Sequence, residues 1–226
     1  MKLKLLFGIV LSLAAIIVRA EEAKTNVTGK ILYENNFENA ELDKVPSEFL
    51  VLDGGFVVKQ EEANKFLELP GAPLETFGFL FGPTTETNVA VSAKIRGAAK
   101  GRRFPTFAVG LNGVGGYRLQ VSPAKKLLEL YKGDEVVVTA PFEDKLDSWF
   151  LLRLENRKVS ESEWKISGSV WADKSAELKE AAIIFSEKTK PTPGRASIWG
   201  SPYSGTPIQF DDLKVVAAGA QTSDAK

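Results

Sequence analysis

From residue 31 onward, apolar and polar positions trade places over short stretches. Val89, Val91, Ala93 and Ile95 alternate with Ala90, Ser92, Lys94 and Arg96, which is the period of a half-buried strand. Trp164, Ile166, Gly168 and Val170 repeat the pattern. Denser apolar runs occur at Phe77–Phe81 and Trp149–Leu154, and the latter predicts a strand buried on much of both faces, with Trp149 in the core. Turn residues punctuate these runs: Asp53-Gly54-Gly55, Pro70-Gly71, Gly82-Pro83, Asn112-Gly113 and Lys132-Gly133-Asp134. The spacing predicts a first strand over Ile31–Phe37 and a hairpin joining Phe49–Leu52 to Phe56–Val58. It predicts a second hairpin joining Phe107–Leu111 to Tyr117–Val121, and a third across Lys126–Tyr131 and Glu135–Val138. Only Ala176–Ile184 has a short-helix reading. Many short strands with turns between them indicate an all-β sandwich or barrel, here one domain over residues 31–216. Residues 21–30 are expected to be a flexible lead and 217–226 a disordered tail.

The last strand has a fault in its alternation. Ile208 and Phe210 share one parity, Leu213 and Val215 the other, and Asp211-Asp212 lies between them. A slip of one residue turns the core face outward unless a bulge absorbs it. Strands also disfavour Asp. The pair therefore predicts a bulge with its carboxylates either anchoring backbone N–H groups or binding Ca²⁺ through oxygen. If the ends of the chain meet, Glu34, Asn35 or Asn36 of the first strand could complete that cation site, so Asp211, Asp212, Glu34 and Asn36 form the metal candidates.

The N-terminus changes the compartment. Lys2 and Lys4 precede an apolar stretch, Leu5–Val18, and Val18-Arg19-Ala20 has small residues where signal peptidase reads. Residues 1–20 are thus expected to be a cleaved signal peptide, making the protein secreted or periplasmic, with no stable membrane insertion afterwards. Asn26-Val27-Thr28 matches a glycosylation sequon, relevant only in a eukaryotic secretory route.

The chain carries 29 basic and 29 acidic residues. Three of the basic ones lie in the signal segment, so the remainder is slightly acidic, which argues against nucleic acid as a partner. There is no Cys and no His. Disulfides, Cys nucleophiles, Ser-His-Asp triads and the usual zinc sites are therefore excluded. Gly110–Gly116 superficially suggests a dinucleotide loop, but a strand pattern follows it, not a helix. Glu41-Leu42-Asp43, Glu161-Ser162-Glu163 and Glu143-Asp144 lie beside turns and read as surface charge.

The aromatic residues open another chemistry, because sugars stack on aromatic faces while polar neighbours take their hydroxyls. Trp171, Trp199, Tyr203 and Tyr117, with Arg118, Asn112 and Arg102, are the candidate ligand-binding residues.

The order of Tyr33-x-x-x-Phe37, Trp149-Phe-Leu-Leu-Arg-Leu, Gly168-Ser-Val-Trp171, Gly194-Arg-Ala-Ser-Ile-Trp199-Gly200 and Phe210-Asp211-Asp212-Leu-Lys-Val215 resembles the concanavalin A-like lectin and glucanase superfamily. Secreted bacterial laminin-G-like and 3-keto-disaccharide-hydrolase-like domains are the nearest pattern. The resemblance implies a two-sheet antiparallel jelly roll with a face that holds glycans in relatives. The acid triad of the glucanases is absent, so enzymatic function does not carry over. Three functions follow as expectations: a non-catalytic glycan-binding or surface-recognition domain, a saccharide-processing enzyme using carboxylates, or a structural envelope or matrix protein.

Overall fold

The computed structural model describes residues 29–72, 75–143, 148–173, 175, 180–203 and 205–218. The expected signal peptide, the sequon and nearly all of the expected tail lie outside the described residues, as do residues 176–179 of the expected short helix. In chain order the strands are β1 (Ile31–Asn35), β2 (Leu50–Asp53), β3 (Val57–Glu61), β4 (Asn64–Leu69), β5 (Phe77–Thr85), β6 (Val89–Gly97), β7 (Thr106–Leu111), β8 (Tyr117–Ser122), β9 (Leu127–Lys132), β10 (Glu135–Pro141), β11 (Phe150–Ser160), β12 (Glu163–Ala172), β13 (Ile183–Glu187), β14 (Gly194–Ser201) and β15 (Ile208–Ala217). They form two antiparallel sheets, one ordered β13-β12-β11-β6-β15-β4-β3 with β1 also on β15, the other β10-β9-β8-β7-β14-β5-β2. The fold is the all-β two-sheet sandwich expected of a jelly roll. Ile183 and Ile184, the end of the segment with a helical reading, open β13.

The core lies between the sheets and follows the alternation. Val89, Val91, Ala93 and Ile95 of β6 all face inward and are buried, as are Phe107, Val109 and Leu111 of β7. Burying one face of each sheet is what holds two layers together. At one point the sheets nearly touch: a Cβ on Gly168 of β12 would come within 2.5 Å of the Leu119 side chain of β8.

The fault in β15 is a bulge. Asp211 pairs with Lys94 and Lys214 with Ser92, so Asp212 and Leu213 stand opposite Ala93 alone. Asp212 takes a positive φ of 47°. The extra residue restores the core face on both sides, and Phe210 and Leu213 are both fully buried. The bulge also marks a change of partner. On one edge β15 pairs with β4 over Ile208–Phe210 and then with β1 over Leu213–Val216. The two ends of the domain are therefore adjacent strands.

Two expectations fail. Asp53-Gly54-Gly55 does not close a hairpin: β2 pairs with β5 in one sheet, and β3 pairs with β4 in the other. The turn carries the chain from one sheet to the other, with Gly54 at φ 109° and no room for a Cβ beside Phe56 and Phe77. Trp149 is not core. It stands just before β11, where Phe150, Leu152 and Leu154 point inward, so residue 149 points outward. There it is half-buried, edge-on to Phe66 and beneath the Arg96 guanidinium at 4.9 Å.

Candidate glycan-binding site

The outer face of the seven-stranded sheet carries a built cluster. Registry sets its rows. Gly78 of β5, Trp199 of β14, Ala108 of β7, Gln120 of β8 and Glu129 of β9 lie side by side. The adjoining row runs Ser197, Gly110, Arg118, Tyr131. Each belongs to the outward parity of its strand, opposite the buried Leu119, Val121, Leu128 and Leu130.

Trp199 stands between Gly78 and Ala108, and the indole fills the space that Gly78 leaves. A Cβ on Gly78 would lie 2.6 Å from Trp199 Cε3, whereas one on Gly110 would collide with Ser197 Oγ and stand 3.5 Å from Nε1. The ring therefore lies across the sheet, reaching over β5 at one edge and toward β7 at the other. Nε1 donates to Ser197 Oγ at 2.9 Å, which fixes the ring in that pose. The residue is half-buried, with the sheet beneath it.

Next to this ring, the Arg118 guanidinium lies 5.5 Å from the Trp199 ring and 4.5 Å from that of Tyr131, within cation–π range of both. Burial lowers its pKa, opposed by the fields of Tyr131, Asp134 and Glu129. Glu129 is buried and saturated: Lys125 Nζ donates at 2.9 Å, and Ser122, Gln120 and Tyr131 side chains donate to its other oxygen. Burial alone would raise its pKa, but the bonds from Ser122 and Lys125 outweigh it and hold the carboxyl below the usual range. The result is a half-buried indole with the Arg118 guanidinium and the Gln120 amide on the same face, while Ser122 and Glu129 are buried and bonded to each other.

The other expected ligand residues go elsewhere. Tyr117 faces the core, where its hydroxyl donates to Glu187 at 2.7 Å and its pKa is raised by burial and by that carboxylate. Glu187 is held down to about 2: burial raises it, but Lys132, the Thr189 N–H and Tyr117 prevail. Asn112 takes the positive φ its turn requires, at 66°. Its buried amide donates to the Glu86 and Thr192 carbonyls and accepts from Asn156, so it ties loops together. Trp171 is outward in parity but only 9 % exposed, which corrects its reading as an exposed ring. Tyr203 belongs to the loop after β14, bridged to Thr206, and Arg102 to an exposed turn before β7. That turn and Asn112 are at opposite ends of β7. Of the expected set, only Trp199 and Arg118 share this face. Gln120, Ser122, Glu129 and Tyr131 were missed, although the parity of Leu119 and Leu128–Leu130 already placed them outward.

The metal candidates Glu34, Asn36 and Asp212 do converge, lining a cleft of about 990 Å³ between β1, β15 and the loop before β2. Their carboxylates already have partners. Asp212 pairs with Lys94 at 3.0 Å, and Glu34 faces Lys214 at 3.6 Å. Asp211 accepts from Asn64 and from the Asp212 N–H, which is the backbone-anchor reading. Burial raises its pKa to about 6, opposed by the bonds from Asn64 and the Asp212 N–H and by the Lys94 charge, while the Asp212 charge adds to it. Among the described residues, no group of three or more His, Cys, Asp or Glu is placed to hold a metal ion. No helix among them is long and apolar enough to cross a membrane.

No family model and no curated protein matches the sequence. Solved structures do match its fold. The carbohydrate-binding module CBM66 from Bacillus subtilis superposes with a TM-score of 0.52 at 11% identity, covering 75% of this chain and 95% of that one. The carbohydrate recognition domain of Emp46p gives 0.56 at 12% identity, covering 84% and 99%. The exoplasmic/lumenal domain of VIP36, in a Ca²⁺/Man3GlcNAc-bound form, gives 0.52 at 8% identity, covering 84% and 94%. At these identities the likeness is one of fold, and the chain is built as the same jelly-roll sandwich as these carbohydrate-recognition domains.

Proposed function

We propose that this protein is an exported, non-catalytic glycan-binding domain that holds saccharide on the outer face of its seven-stranded sheet. The observation that carries the reading is the Trp199 indole, half-buried on the outer face, seated over the gap that Gly78 leaves and pinned by its bond to Ser197. Two strands along the same row, the half-buried Gln120 offers its amide to hydroxyl groups, already oriented by its bonds to Ser122 and Glu129, so little ordering entropy is lost on binding. The sandwich it shares with CBM66 and the Emp46p domain supports the same reading, since both are named for carbohydrate binding. The finer kinship, to concanavalin A-like laminin-G-like domains, rests on the strand pattern. Export rests on residues 1–20, and the N-terminus of the protein isolated from its host is expected at Glu21.

A glycan array followed by titration calorimetry tests the site. Trp199→Ala is expected to weaken binding of any array hit by about 1–2 kcal/mol, roughly five- to thirtyfold, while Trp199→Phe keeps part of the affinity. Unchanged affinity in Trp199→Ala would remove this face from the reading, and turnover of the bound glycan would replace a binding domain with an enzyme.

A further inference from the structure

The Arg118 guanidinium has two aromatic faces beside it and, among the described residues, no acceptor. Its Nε is buried without a hydrogen-bond partner, and its terminal nitrogens, likewise unbonded, belong to a residue that still reaches solvent. Four other arginines of the domain are committed. Arg96 bonds Gln209 and Glu61, Arg153 and Arg157 bond Glu155, and Arg195 bonds the Gly82 and Glu48 carbonyls. Glu129, the carboxylate on the adjoining row, does not pair with Arg118 because Lys125, Ser122, Gln120 and Tyr131 occupy its oxygens. Asp134, in the turn between β9 and β10, acts on Arg118 only through space.

A ligand stacked on Trp199 would cover this guanidinium as well, since it stands 5.5 Å from the ring centre. Covering it strips water from a charge that has no counter-ion, which is costly unless the ligand brings an acceptor. The planar fork of arginine matches a carboxylate or sulfate better than a hydroxyl. We infer that the preferred ligand is an acidic saccharide, whose carboxylate or sulfate ester seats on Arg118 between Trp199 and Tyr131 while its ring stacks on Trp199. This inference rests on the glycan-binding reading above and names its ligand class.

Hexose oligomers prepared in neutral, uronate and O-sulfated forms, titrated into the full chain, provide the test. At low ionic strength one acidic form is expected to bind at least about tenfold tighter than its neutral counterpart. High salt should shrink that margin. Whichever acidic arm shows it identifies the source of the anion. Arg118→Met, which keeps the aliphatic stem, should bring the acidic-to-neutral ratio to about one, and Arg118→Lys should retain part of it. If Arg118→Met does not fold, the salt dependence of the wild type and the Lys variant still decide. Neutral forms binding as tightly as acidic ones, with loss in Trp199→Ala, would overturn the acidic ligand and leave the glycan reading standing. No binding in any arm would overturn both.

Discussion

Replacing Asp211 with Asn removes a buried charge without changing the shape of the bulge. Asn tolerates the local conformation, and its Oδ1 can keep the bond from the Asp212 N–H. The Asn64 amide, now a donor to Asp211 at 3.0 Å, can turn its oxygen to the new N–H. What disappears is the titration. Burial raises the Asp211 pKa from 3.8 to about 6. The folded state therefore holds the proton more tightly than the unfolded chain does. Stability from this group is fully present below pH 4, falls as pH rises from about 4 to 6, and is level above that. The shift corresponds to at most about 3 kcal/mol, and screening by solvent from the neighbouring cleft brings it to roughly 2. Urea unfolding of both proteins, followed by tryptophan fluorescence from pH 3.5 to 7.5, isolates the effect because the other acids are common to both. The stability of the variant relative to wild type is expected to rise by about 2 kcal/mol between pH 4 and 6.5. A difference that stays flat, or that falls with pH, would mean that Lys94 and Asn64 outweigh burial, and the account of the bulge as a desolvated carboxylate would be wrong.

Glu187 has the opposite sign. Its pKa is depressed from 4.5 to about 2, so its contribution is present above pH 4.5 and lost as pH falls toward 2. Glu187→Gln is expected to cost about 1–2 kcal/mol at neutral pH, allowing for screening, with the gap to wild type closing in acid unfolding curves. Gly168→Ala places a methyl group 2.5 Å from Leu119 and should cost about 1–3 kcal/mol by overpacking, seen as a lower urea midpoint at unchanged m-value. Asn112→Ala removes the side-chain donor of the Thr192 carbonyl and one of the two partners of the Glu86 carbonyl and of the Asn156 amide, which still bond each other. It should cost about 2–3 kcal/mol and speed amide exchange in those loops; slow exchange there would show that water replaces the side chain.

The alternation of β6 and β12 was legible because each strand buries one face more deeply than the other, and the bulge because Phe210 and Leu213 cannot both face the core without it. The turn at Asp53-Gly54-Gly55 was not, since the same residues serve a hairpin or a passage between sheets. Pairing with β5 and β4, distant in sequence, decides which. Trp149 was misjudged from the richness of its neighbours. Arg153 and Glu155, outward on the same strand, already marked its parity.

The site divides along the same line. Adjacent residues on a strand face opposite ways, so Tyr117 and Arg118 could never have served one surface, and that much needs no coordinates. What one strand cannot state is registry. Gly78 is 121 positions from Trp199, and its missing side chain matters only because β5 and β14 align the two. Arg118 stands near Trp199 through the same dependence, across β7, where Ser197 Oγ takes the place a Cβ on Gly110 would need. A surface composed by alignment of five strands has no contiguous signature for a sequence comparison to find. The backbone that performs the alignment is shared with carbohydrate-recognition domains at about a tenth of residues identical. The proposed ligand choice therefore rests on what that alignment assembles: the Trp199 indole over Gly78 and the Arg118 guanidinium beside it.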